Sequence, residues 1–104
     1  QGFPNHAIVS SAKGAIEGLT LALAAEYAPH IRVNCIAPSL TNSKISNFLL
    51  KNEKMAESIA KMHPLKRIGE GEDSASVAKF LLTDESSWIT GQIFGVDGGR
   101  SSVA

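Results

Sequence analysis

The sequence predicts an α/β fold, the last part of a doubly wound parallel sheet, running helix, strand, lid helices, helix, strand. Three observations carry this. Residues 7–28 hold Ala12, Ala15, Ile16, Leu19, Ala22 and Leu23 at three- and four-residue spacing, the mark of an amphipathic helix. Two short runs, "IRVNCIAP" (31–38) and "QIFGVDGG" (92–99), are rich in β-branched and small apolar residues and are separated by helical sequence. Strands joined by such a crossover lie parallel. Parallel sheets are normally covered on both faces and rarely consist of two strands. The two runs are therefore expected to belong to a larger sheet, whose other strands come from preceding sequence or from another chain.

Each element has its own signals. Ala and Leu dominate the first helix, and Pro29 stops it. The first strand closes at Pro38, with Arg32 and Asn34 expected on one face and Ile31, Val33 and Cys35 on the other. Residues 40–66 form an excursion of two short amphipathic pieces, broken near Lys51-Asn52 and closed by His63-Pro64. Met55, Ile59 and Met62 share one face of the second piece. Such an excursion is either a substrate lid or a packed hairpin without a ligand, and the pattern does not choose. The next helix is expected over 72–83, with Val77, Phe80 and Leu81 as its apolar stripe. Glu70, Glu72 and Asp73 crowd its first turn, where negative charge suits the helix dipole. "GVDGG" reads as a tight turn after the last strand.

Composition excludes some partners. Ten basic residues balance ten acidic ones without a block of either sign, so nothing favours nucleic acid or an anionic membrane surface. No apolar run approaches the roughly 18 residues of a spanning helix. The single cysteine, Cys35, forbids an internal disulfide and fits a reducing, cytoplasmic setting. It reads as a small buried strand residue. The chain begins with Gln1, so its natural start is expected to lie elsewhere.

Few local motifs carry chemistry. "GEGED" (69–73) precedes a helix but lacks the third glycine of a dinucleotide turn, and its three carboxylates would repel a phosphate. His6, His30, His63 and Cys35 show no zinc-site pairing, so no metal is expected and each histidine reads as a surface or helix-end residue. Ser10 and Ser11 have no elbow motif or base and fit the start of a helix.

Four stretches, "AKGAIEGLTLALAAEYAP", "IRVNCIAPSLTNS", "HPLKRIGEGED" and "SSWITGQIFGVDGG", resemble the C-terminal half of the short-chain dehydrogenase/reductase family, in family order and spacing. The resemblance spans essentially the whole chain and implies a Rossmann-type sheet, with residues 1–104 as one segment of a single domain. It places the glycine-rich cofactor turn and the catalytic serine in an N-terminal half that is absent here, and makes 40–66 the lid. It implies NAD or NADP as cofactor and a small-molecule carbonyl, alcohol or enoyl substrate. It also implies a homo-oligomer paired through the helix of residues 7–28.

The resemblance assigns roles by position. Lys13 matches the active-site lysine, which holds the nicotinamide ribose and lowers the pKa of a neighbouring tyrosine. Pro38, Ser39, Thr41 and Ser43 match the loop that touches the nicotinamide end of the cofactor, with Ser39 in place of the usual glycine. The family's acid is a tyrosine four residues before the lysine, and here that residue is Val9. General-acid help is typically worth about 10²–10⁴ in rate, roughly 3 to 5 kcal/mol of barrier. Tyr27 does not replace it, because 14 residues of helix span about 21 Å. His6 shares nearly the same helical face as Lys13 but lies about 10 Å along the axis. It stands as the in-chain candidate for proton transfer, beside a donor from the absent half or a water. Two readings remain open: an oxidoreductase with an atypical proton donor, inactive as this segment alone, or a non-catalytic binding or scaffolding relative.

Overall fold

The computed structural model describes residues 6–42 and 47–103. Helix α1 runs His6–Tyr27, and the chain turns at 28–30 where Pro29 lacks the N–H to continue. Strand β1, Cys35–Pro38, pairs in parallel with β4, Ile93–Val96, in the register Cys35↔Ile93 to Pro38↔Val96. Between them lie β2 (Thr41–Asn42), α2 (Asn47–Leu50), α3 (Glu53–Lys61), β3 (Gly69–Glu70), α4 (Gly71–Leu81) and a 3₁₀ turn at Asp84–Ser86. The α/β class and the parallel pairing are as the sequence predicts.

The first strand is regular over only the second half of 31–38, because its start pairs mostly through side chains. Arg32 and Asn34 do share a face, and that face is turned to the connection between α4 and β4. The Arg32 guanidinium donates to Ser86 Oγ at 2.9 Å and to the Thr83 and Ile89 carbonyls at 3.3 and 3.4 Å. Asn34 donates to the Ile89 carbonyl at 3.2 Å and accepts from the Gln92 N–H at 3.0 Å. Ser86 is fully buried under this brace. The brace fixes where β4 begins, and so the register of the pair.

The excursion has a neck. β2 pairs in parallel with β3, Thr41 opposite Gly69 and Asn42 opposite Glu70, so the chain leaves and returns at one point. Asn52 caps α3 by accepting from the Met55 N–H at 3.2 Å, which explains the break at Lys51-Asn52. The base of the excursion sits on the "GVDGG" turn, where the Leu65 N–H donates to the Gly98 carbonyl at 3.1 Å. Gly98 and Gly99 have φ of +62° and +87°, and a Cβ on Gly99 would stand 2.7 Å from Val103 Cγ2 and 3.1 Å from Pro64 Cγ. These glycines supply both the left-handed turn and the close approach.

The core is thin. Among the described residues Ala24 is the one buried apolar side chain, while Ile16, Leu19 and Leu21 of α1 are each more than half exposed and Trp88 is 98 % exposed. The accessible surface is 7903 Å². A compact monomer of this mass exposes about 5,600 Å². The apolar stripe of the first helix is thus left largely uncovered.

Gly99→Ala is expected to destabilise the chain by about 1–3 kcal/mol, through the positive φ and the contacts with Val103 and Pro64. A urea titration monitored by circular dichroism checks this, and an unchanged midpoint would contradict it.

Candidate functional site

Parallel β-strands of an open sheet gather ligands beyond their carboxyl ends. β1 and β4 end level with each other at Pro38 and Val96, so the loop starting at Ser39 and the turn starting at Asp97 emerge side by side. α1 brings Lys13 to the same edge. The result is a cavity of about 620 Å³ lined by Lys13, Pro38, Ser39, Asp97, Arg100 and Ser101, among others. Lys13 and Pro38 are solvent-exposed and Ser39 is half-buried. Three of the sequence-predicted site residues therefore share one cavity. Thr41 does not line it, but its hydroxyl donates to the Ser39 carbonyl at 3.0 Å and so braces the loop that does. Ser43 lies outside the described residues, as do the side chains of His6 and Val9.

Polar chemistry on the wall is mixed. Asp97 accepts from the hydroxyl of Ser101 and from the backbone N–H groups of Gly99, at 3.0 Å, and Ser101, at 3.3 Å. These donors, the Ser101 hydroxyl first, hold its carboxyl below the usual carboxylate range. Asp97 is thus ionised at neutral pH and has no proton to give. Cys35 also lines this cavity and is half-buried rather than buried.

A second cavity, of about 380 Å³, lies on the other side of Ser39 and is lined by His63, Arg67, Asp73 and the Gly98 turn. His63 is a helix-end residue, as one of the two readings for the histidines expects, and it is buried at 3 % exposure. Its Nδ1 lies 2.8 Å from the Ile59 carbonyl and its Nε2 2.8 Å from Ser39 Oγ. The signal that could have found it is its place just past α3 and before Pro64, with Ile59 four residues back. A histidine there can satisfy one of the helix's last carbonyls.

"GEGED" also has a structural role. Arg67 grips Asp73 through its two terminal guanidinium nitrogens, Nη1 and Nη2, at 2.8 and 3.0 Å, and Asp73 accepts from the Glu70 N–H at 2.7 Å at the start of α4. Among the described residues there is no cluster of histidine, cysteine, aspartate or glutamate able to hold a metal, and no helix is long and apolar enough to cross a membrane.

The family model described as enoyl-(acyl carrier protein) reductase matches residues 1–101. The chain belongs to the short-chain dehydrogenase/reductase family. Among its short-chain dehydrogenase/reductase relatives is tropinone reductase-like 3 of Erythroxylum coca, 43% identical over 90 residues, or 86% of this chain and 35% of that protein. A putative gluconate dehydrogenase from Agrobacterium tumefaciens superposes with a TM-score of 0.89 at 33% identity, over 100% of this chain and 42% of that one. A gluconate 5-dehydrogenase from Burkholderia cenocepacia, crystallised with NADP and tartrate, superposes with a TM-score of 0.87 at 28% identity, over 100% of this chain and 41% of that one. The chain spans about a third of the length of the curated short-chain dehydrogenase/reductase relatives it matches.

Asp73 gives this family member an acid-sensitive joint. Its hydrogen bonds from Arg67 and from the Glu70 N–H lower its pKa to about 2. A carboxylate depressed in the folded state stabilises above its unfolded pKa of about 4, and that contribution fades as pH falls toward 2. Between pH 4 and 2 the urea midpoint of Asp73→Asn is expected to fall less steeply than that of the parent chain. Parallel slopes for the two proteins would refute the assignment.

Proposed function

We propose that this chain supplies the nicotinamide end of the cofactor site in an NAD(P)-dependent short-chain oxidoreductase acting on a small carbonyl, alcohol or enoyl substrate. The observation that carries it is the meeting of Lys13 with Pro38 and Ser39 on one cavity at the carboxyl edge of the parallel strands. The residues present fit part of a dinucleotide. A cavity of about 620 Å³ suits a nicotinamide riboside, with Lys13 as a cation and donor toward the ribose. Ser39 and Thr41, braced together, set the backbone that faces the carboxamide. "GEGED" has no part in a pyrophosphate site, since Asp73 is engaged with Arg67 and with the Glu70 N–H. The rest of the cofactor belongs to the N-terminal part of a longer or shared sheet. The exposed faces of α1 and the large accessible surface support that reading, and support pairing of α1 with its copy in an oligomer.

A bound nicotinamide supplies or accepts the hydride; what the chain must add is a proton route. Val9 has none, and Asp97 is held ionised. His6, a water ordered by Lys13, or a residue outside this chain is left to act. That gap also supports the second reading, a non-catalytic relative that keeps the cofactor as a ligand. Turnover of any carbonyl or enoyl substrate at enzyme-like rates would dispose of it.

Intact mass from the natural source tests the first part, since a protein roughly two and a half to three times as heavy is expected from the share of its relatives that this chain spans. In that protein Lys13→Ala should weaken NADH or NADPH binding at least tenfold by fluorescence titration, and unchanged binding of both would sink the cofactor reading. Val9→Tyr should raise carbonyl reduction by about 10²-fold or more where the rest of the site is intact. No gain would show that the proton route does not pass the Val9 position.

A further inference from the structure

Ser39 belongs to both cavities at once. On one side it forms wall of the Lys13 cavity. On the other its hydroxyl meets His63 Nε2 at 2.8 Å. A carbonyl only accepts, so the 2.8 Å contact with the Ile59 carbonyl requires the proton on His63 Nδ1. In the neutral ring Nε2 is then the acceptor, and the Ser39 hydroxyl donates to it. Both ring nitrogens are engaged, and the ring is buried. Its third neighbour is the turn after β4, where a Cβ on Gly98 would meet His63 Cβ at 3.5 Å. One side chain thus joins the end of α3, the turn after β4 and the loop after β1.

We propose that Ser39 and His63 form a clasp that ties the root of the α2–α3 excursion to the wall of the Lys13 cavity, with His63 a positioning residue for the 39–41 loop. The consequence for the cofactor rests on the function proposed above; the mechanical coupling does not. The Thr41 hydroxyl bond to the Ser39 carbonyl carries a displacement of Ser39 onward to Thr41. A movement of the excursion that turns the His63 ring therefore reaches the residues facing the nicotinamide. The excursion and the cofactor wall move as one unit.

Hydrogen exchange read by mass spectrometry tests the clasp without any cofactor. Ser39→Ala removes the hydroxyl and strands a buried acceptor, which should speed exchange roughly tenfold. The rise is expected together in residues 39–42 and 59–66, with α4 unchanged. A rise in one segment alone, in neither, or uniformly across the chain overturns the clasp. His63→Leu should reproduce the pattern, and the double variant should be no worse than His63→Leu alone, because the two residues share one bond. Additive effects would overturn it. If His63→Leu does not fold, Ser39→Ala decides.

The second readout is NADH and NADPH affinity of the protein as its source makes it. Ser39→Ala should weaken binding three- to tenfold under conditions where circular dichroism shows the variant fully folded. Binding by the parent with no loss in Ser39→Ala overturns the link to the cofactor wall. Failure of the parent to bind either nucleotide sinks the proposed function instead, and the exchange pattern still decides the clasp.

Discussion

The parallel register of β1 on β4 governs the rest of this molecule. Backbone pairing from Cys35↔Ile93 to Pro38↔Val96 brings two strands to an end at the same height, so two loops must leave the sheet together. That register is set from the other end of the strands. Arg32 and Asn34 hold the Thr83–Gln92 connection by five hydrogen bonds, which fixes where β4 starts. A slip by one residue would exchange the faces of the strand and separate Ser39 from Asp97. The site is a consequence of a brace at the far end of the sheet.

What lies above the sheet depends on small residues and on polar bonds more than on apolar burial. The Gly98–Gly99 turn lets Pro64 and Leu65 approach the strand end, and His63 fills the space between that turn and Ser39. Hydrophobic stabilisation scales with the area removed from water. With one buried apolar side chain among the described residues, that term is small here. The geometry of the site is thus written in the chain, whereas much of the energy that would hold it belongs to surfaces α1 and the sheet leave open.

Much of this was legible in the sequence, for local reasons. Pro29 ends α1, Asn52 starts α3, and the acids at Glu70, Glu72 and Asp73 mark the first turn of α4 because capping and dipole effects act within a few residues. The four matching stretches gave the family and the meeting of Lys13 with Pro38 and Ser39. Other features were not legible. β2 and β3 are two residues each, too short for any periodicity. Arg32 reaches residues more than fifty positions away, and His63 reaches Ser39 across 24, so neither contact leaves a local trace. His63 was legible as a helix-end residue but its burial was not, because polarity alone cannot reveal a ring satisfied at both nitrogens.

The neck formed by β2 and β3 has a consequence for how such a protein can diversify. Segment 43–68 is closed at its root by Thr41↔Gly69 and Asn42↔Glu70, so the entropy of closing the loop is the main thermodynamic term its length can change. That term grows only logarithmically, about 0.6 kcal/mol for each doubling of length. Insertions and deletions inside the excursion are therefore cheap, and the strand register beneath them is insulated from their cost. A lineage carrying this neck can change the length of the excursion while leaving the paired strands beneath it in register.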